Sequence, residues 1–378
     1  MTPTHAIVFV PGFFGFGSFG PTGAPIIEYV KFARSVLRTE LGARTPVIVH
    51  QPPPTGPLSA RAASLYRAIE AILRDGIDGQ PITDVHLVGH STGGVDARLV
   101  TNPRYLWPGA PEASQRRAVI DRVRSVLTVS APHRGTPLAS NLSPTMAVAI
   151  PGLWLGSIIA SRDALTVAGH VGAIIETIEE IIVRKSTPEA ELIARLADVD
   201  TQTARDIRRF LDEVVRDHRL VGDLTVAAMT DLDRAISGHD HKHLHCFVTV
   251  APQPGRALAD LTAIARDPVR RALFLLTQRL TRGTPPSIAR WPVGPWILGR
   301  PNGLRADEAR SNDGIVPAWS QTIDGRAAGL ISADHLDVIG HYDGAGMTFM
   351  RSNSGFATDH FNALWRRIAA VIRERSER

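Results

Sequence analysis

Asp84-Val-His-Leu-Val-Gly-His-Ser91-Thr-Gly-Gly94 is the stretch on which the fold turns. Its first half is a short apolar run of strand length. From Gly94 to Thr101 the pattern is helical, so a sharp turn must fall at Gly89-His90-Ser91-Thr92-Gly93. A strand, a tight turn and a helix in that order present the middle residue of the turn on a strained corner, which makes Ser91 a candidate nucleophile. The glycines suit a turn that brings backbone too close to its neighbours for a side chain. An ordinary strand-to-helix turn without chemistry is the competing reading.

Outward from this stretch the same alternation recurs. Ala6 to Val10 is an apolar run ending in Pro11-Gly12, Val47 to Val49 is another, and Arg124 to Ser130 is a third. Helix-length segments such as Ser59 to Arg74 separate them. Strands alternating with helices predict a parallel sheet covered on both faces. Two later strands are expected at Cys246 to Ala251 and Gly329 to Ser332, and a basic helix from Asp359 to Arg375.

Composition narrows the class. The 378 residues are 44% hydrophobic and 21% charged, with 32 Gly and 27 Pro in no regular period, which excludes fibrous, coiled-coil and disordered readings. The net charge of +5 is spread along the chain, so no nucleic-acid partner is expected. Cys246 is the only cysteine and cannot form an intrachain disulfide. The chain enters its first apolar run at Ala6 with no basic leader, and the expectation is a cytoplasmic protein without a signal peptide.

Between the fourth strand and Cys246 lies an insertion of different character. Gly135 to Ser161 carries no charge, but Pro144, Pro151, Gly152 and Gly156 interrupt it, which predicts a buried or lid segment rather than a transmembrane helix; the apolar stretch from Gly135 to Val183 is the expected acyl site and its cover. Ile174, Ile178, Ile181 and Ile182 then share one helical face, with Glu176, Glu179 and Glu180 mostly opposite. From Pro188 to His218 the pattern predicts solvated helices. The division is a sheet domain from 1–138 and 241–378, with a helical cap at 139–240.

A serine needs a base and an orienting carboxylate. Asn312-Asp313-Gly314 places an acid in a turn, and Ser332-Ala-Asp-His335-Leu-Asp337 places a histidine after an apolar run. Order alone leaves His341 and His360 as rivals to His335, and Asp334, Asp337 and Asp343 as rivals to Asp313. An oxyanion site needs two backbone N–H groups, one from Thr92 and one from the loop Pro11-Gly-Phe-Phe-Gly-Phe-Gly17, with Phe13 the expected donor. That loop lacks the Lys-Ser/Thr of a phosphate-binding turn. His239, His241, His243 and His245 alternate into the strand at Cys246; on one face they could hold a transition metal, but a solvated edge is the favoured reading.

Several segments match a known family together and in order: Phe9-Val-Pro-Gly-Phe-Phe-Gly-Phe16, Val88-Gly-His-Ser-Thr-Gly-Gly94, Ser130-Ala-Pro-His-Arg-Gly-Thr136, Val221 to Met229, Asn312-Asp-Gly314 and His335-Leu-Asp337. The chain resembles the bacterial triacylglycerol lipases of the α/β-hydrolase superfamily. The resemblance implies an α/β-hydrolase fold, with a mostly parallel sheet between helices and a helical cap. It implies a serine ester hydrolase with Ser91, Asp313 and His335 as triad and Phe13 and Thr92 as oxyanion donors. The implied substrate is a hydrophobic ester, met at a lipid interface through the cap. A short-chain carboxylesterase, a thioesterase, a polyester depolymerase or a non-catalytic lipid-binding protein are the alternatives.

Two departures follow from the same alignment. Pro11 stands where the family usually has His, which implies a different support for the loop. Asp337 occupies the position of a calcium-binding aspartate, but Gly283 to Arg305 contains no Asp or Glu to partner it, so no cofactor is required and calcium is disfavoured.

Overall fold

The computed structural model describes residues 4–13, 18–19, 27–30, 32–141, 201–252, 268–299, 311–342 and 350–377. Seven strands form one sheet: β1 His5–Val10, β2 Val47–Val49, β3 Asp84–His90, β4 Val123–Val129, β5 Leu244–Val250, β6 Ile297–Leu298 and β7 Gly329–Ser332. Their spatial order is β2-β1-β3-β4-β5-β7-β6, and every neighbouring pair is parallel. The expected strands are all present; β5 begins two residues before Cys246. A separate antiparallel pair joins Ser18–Phe19 to Ile27–Glu28.

Both faces of the sheet are buried, as the uninterrupted apolar runs require. Alternation along β1 sends Ile7 and Phe9 into one core and Ala6, Val8 and Val10 into the other. The first core is closed by helices α1 (Ala33–Leu41) and α10 (Thr358–Ser376), through Leu37, Phe361, Leu364, Trp365 and Ile368. The second is closed by α2 (Leu58–Asp75) and α3 (Thr92–Thr101). In α2, Leu58, Ala62, Leu65 and Ile69 recur at helical spacing on the buried side.

Helices α4 (Ala113–Ile120) and α5 (Pro137–Asn141) flank β4. After them, α6 (Thr201–Arg216), α7 (Arg219–Asp223) and α8 (Val226–Ile236) belong to the expected cap, and α9 (Pro268–Leu280) follows β5. Arg98 on α3 fastens α8 to the sheet domain: its guanidinium pairs with Asp233 at 2.6 Å and Asp240 at 2.7 Å, and is almost wholly buried. Much of the uncharged stretch, the helix around 174–182 and the start of the charged segment lie outside the described residues. No described helix is long and apolar enough to cross a membrane.

Candidate active site

Because all seven strands run the same way, the segments leaving their carboxyl ends collect at one rim, where sheets of this kind place their chemistry. Ser91 leaves β3, Gly12 leaves β1, Asn312 is tied to the end of β5 by Ala251 N–H at 3.0 Å, and His335 leaves β7. The four segments are far apart in sequence and meet only here.

Ser91 has φ 54°, a left-handed conformation that costs a side-chain-bearing residue about 1–3 kcal/mol and must be held by its surroundings. What holds it is close backbone packing. A Cβ on Gly93 would lie 2.0 Å from the Val10 carbonyl oxygen, and one on Gly12 would lie 2.6 Å from Ser91 Cβ. The loop after β1 is therefore in direct contact with the serine. Thr92 opens α3, where its N–H has no acceptor within the helix and the helix dipole favours negative charge.

Asp313 and His335 are joined directly. His335 Nδ1 lies 2.8 Å from Asp313 Oδ2, and the His335 N–H donates to the Asp313 carbonyl at 2.9 Å. A carboxylate can only accept, so Nδ1 carries the proton and Nε2 is the basic nitrogen. Both side chains are buried. Asp313 Oδ1 accepts the N–H groups of Ile315 and Val316 at 3.0 and 2.7 Å. Its Oδ2 also takes Thr249 Oγ1–H at 2.7 Å and Gln321 Nε2–H at 3.3 Å. Thr249 in turn is 2.7 Å from Ser130 Oγ. These donors keep a buried carboxylate aligned and compensated.

His90, the residue before Ser91, lies beside this pair. Among the described residues no hydrogen bond joins Ser91 Oγ to His335, but the His90 and His335 rings lie 4.7 Å apart, and His90 Nε2 is 2.8 Å from the His335 carbonyl.

The rivals have other work. His341 Nε2 is 3.3 Å from the Tyr29 carbonyl, and His360 sits against Phe356 on α10. Asp334 caps its own turn by accepting the Leu336 and Asp337 N–H groups, and burial pushes its carboxyl up to about 6. Asp343 lies outside the described residues. Asp337 Oδ2 already accepts Asp334 N–H at 2.8 Å and Ser354 Oγ–H at 2.7 Å. Among the described residues no group of three or more metal-ligating side chains forms.

The four histidines before β5 do not share one strand face. Only His245 lies within β5; the other three precede it, and the His241 ring is 2.9 Å from the Val123 carbonyl. The alternation that placed them together applies to a strand that has not yet begun.

Residues with no local mark in the sequence support the loop after β1. Arg61 on α2 forms a fully buried pair with Asp96 at 2.7 Å, and the same guanidinium reaches the carbonyls of Pro11 at 3.1 Å, Gly12 at 3.2 Å and Pro53 at 2.8 Å. Burial pushes the Asp96 carboxyl up while the guanidinium beside it pulls it down. Tyr29 reaches Gly12 N–H and His90, and Gln321 and Thr249 reach Asp313. These partners are separated by 8 to 64 positions, beyond any helical or strand period.

No family model and no curated protein matches the chain. Among solved structures, the chain is similar to the lipase of Staphylococcus hyicus, with a TM-score of 0.54 and 16% identity over 100% of this chain and 97% of that one. It is also similar to EstA from Clostridium botulinum, with a TM-score of 0.52 and 17% identity over 98% of this chain and 87% of that one. The likeness is one of fold.

Proposed function

We propose that the chain, which has the α/β-hydrolase fold, is a serine ester hydrolase acting on acyl esters of lipids or other hydrophobic alcohols. The observation that carries this reading is a serine held at φ 54° between β3 and α3, at the same rim as a buried Asp313–His335 pair. A turn serving only to connect two elements has no need of that strain.

In this reading His335 Nε2 takes the proton of Ser91 Oγ as the oxygen attacks the ester carbonyl, and Asp313 fixes the histidine tautomer and stabilises its cation. The N–H groups of Phe13 and Thr92 receive the oxyanion. His335 then gives its proton to the leaving alkoxide, freeing the alcohol. Water, deprotonated by the same nitrogen, attacks the acyl-enzyme and releases the acid and Ser91. The apolar stretch from 135 to 183, which the sequence suggests as acyl site and cover, lies mostly outside the described residues. The same triad serves short-chain carboxylesterases, thioesterases and polyester depolymerases. The S. hyicus protein to which the chain is similar in fold is a lipase, which is consistent with ester cleavage.

The test is hydrolysis of p-nitrophenyl esters of graded chain length, with a stoichiometric phosphonate label located by mass spectrometry. Ser91→Ala should lose roughly 10⁴-fold or more in kcat, and the wild type should carry the label on Ser91. An optimum at medium or long chains assigns a lipase; an optimum at acetate or butyrate assigns an esterase. A folded wild type that neither turns over nor labels overturns the reading.

A further inference from the structure

Pro11 has no N–H with which to anchor the loop after β1, and its carbonyl is taken by Arg61. The next residue, Gly12, touches Ser91, so whatever fixes Gly12 also fixes the loop against the nucleophile. Its N–H donates to the Tyr29 hydroxyl at 2.8 Å, and that hydroxyl is 2.8 Å from His90 Nδ1. On the far side of the ring, His90 Nε2 is 2.8 Å from the His335 carbonyl oxygen.

The proton positions along this line follow from the inventory of donors. A carbonyl oxygen cannot donate, so His90 Nε2 must carry a hydrogen. The ring is wholly buried beside His335, and burial drives its pKa well below the ordinary range, so the ring is neutral and Nδ1 is bare. Tyr29 O–H therefore donates to Nδ1 and accepts from Gly12 N–H with a lone pair. Each group has one role, and reversing any one of them leaves two donors or two acceptors facing each other. The phenol stays protonated, since its own burial raises its pKa.

We propose that Tyr29 is a positioning residue for both halves of the reaction centre, linking the loop at Gly12 through His90 to the backbone of His335. This inference rests on the serine-hydrolase reading. Tyr29 touches no reacting atom in it. Its hydroxyl sets where the loop stands relative to the base, so that the oxyanion donors meet the carbonyl oxygen of the same ester that Ser91, with its proton passed to Nε2, attacks. The Tyr29 ring is packed against Phe9 and His90, with centroids 6.3 and 5.8 Å away, so removing the oxygen alone leaves the ring's packing in place.

The experiment compares wild type, Tyr29→Phe, His90→Gln and the double variant on one p-nitrophenyl ester, with kcat and KM expressed per phosphonate-titrated site. Tyr29→Phe should lower kcat on the order of 10- to 100-fold with KM changed by less than about threefold, because loss of a direct oxyanion donor costs 10²–10³ and this acts one step removed. The double variant should cost little more than the worse single one, since both cut the same line. A kcat per titrated site within twofold of wild type in Tyr29→Phe overturns the proposal. So does a loss accounted for by fewer titrating sites, which is what a purely structural role gives, and so does an additive double variant. Failure of the underlying reading shows separately and earlier, as a wild type that Ser91-directed phosphonate does not label.

Discussion

The two sides of the proposed reaction centre are built by different physics. The nucleophile side is set by contact: a strained Ser91, with Gly93 against the Val10 carbonyl and Gly12 against the serine itself, leaves no room for a side chain. The base side is set by polar compensation: Asp313 is buried completely and its two oxygens are held by donors from the turn after it, from β5 and from Gln321. Steric fit tolerates no added atom, whereas a set of several hydrogen bonds can lose one and keep its geometry. The first should fail abruptly and the second by degrees.

The sharpest way to break that contrast is Gly93→Ala. With a Cβ 2.0 Å from a backbone oxygen that cannot swing aside, the elbow must rearrange; destabilisation of about 4 kcal/mol or more is expected. Thermal melting and soluble yield check it, and an alanine variant that melts with the wild type removes the steric account.

The next effect is on pH. Burial holds His50 and His245 down to about 4 and His86 down to about 3. In the unfolded chain these rings bind protons near 6.5, so between about 6.5 and 4 the unfolded state holds more protons and stability falls as pH falls. Asp334 has the opposite sign: its carboxyl, raised to about 6, disfavours the native state as pH rises from about 3.9 to 6. Several histidines outweigh one acid, so the melting temperature should drop steadily from pH 6.5 to 4. A flat profile over that interval would show that the buried rings are not neutral.

Smaller still is Thr249→Val, which keeps the strand and the shape but removes one of the donors to Asp313. A loss of about tenfold in kcat/KM is expected, near the ~1.5 kcal/mol of one hydrogen bond to a charged group, with the fold retained. A thousandfold loss would mean that the base side is as brittle as the elbow.

How much of this could be read from the sequence follows the same division. Steric demands leave glycines at fixed spacing, so Gly89-His90-Ser91-Thr92-Gly93 marked the turn, and the strand limits came within two residues of those observed. Polar support leaves no such trace. Order alone left His335 equal to His341 and His360, and the resemblance rather than the residues separated them; in the fold the distinction is that only His335 faces Asp313. Tyr29, Arg61, Thr249 and Gln321 went unnoticed because a hydrogen-bond partner chosen by the fold has no required spacing in the chain. The strand alternation that would gather His239 to His245 on one face, the disfavoured reading, does not apply, because three of the four histidines precede β5.

Phe9, on the strand that carries the loop at Gly12, packs its ring 6.0 Å from Trp365 of α10, across most of the length of the chain. On a ribosome the strand is made long before its cover. The elbow and the loop can assemble while Asp313 and His335 are still unmade, so an emerging chain holds its serine without a base. In the proposed reading, hydrolytic competence arrives only when β7 joins the sheet, and the apolar face under Phe9 stays open until α10 follows.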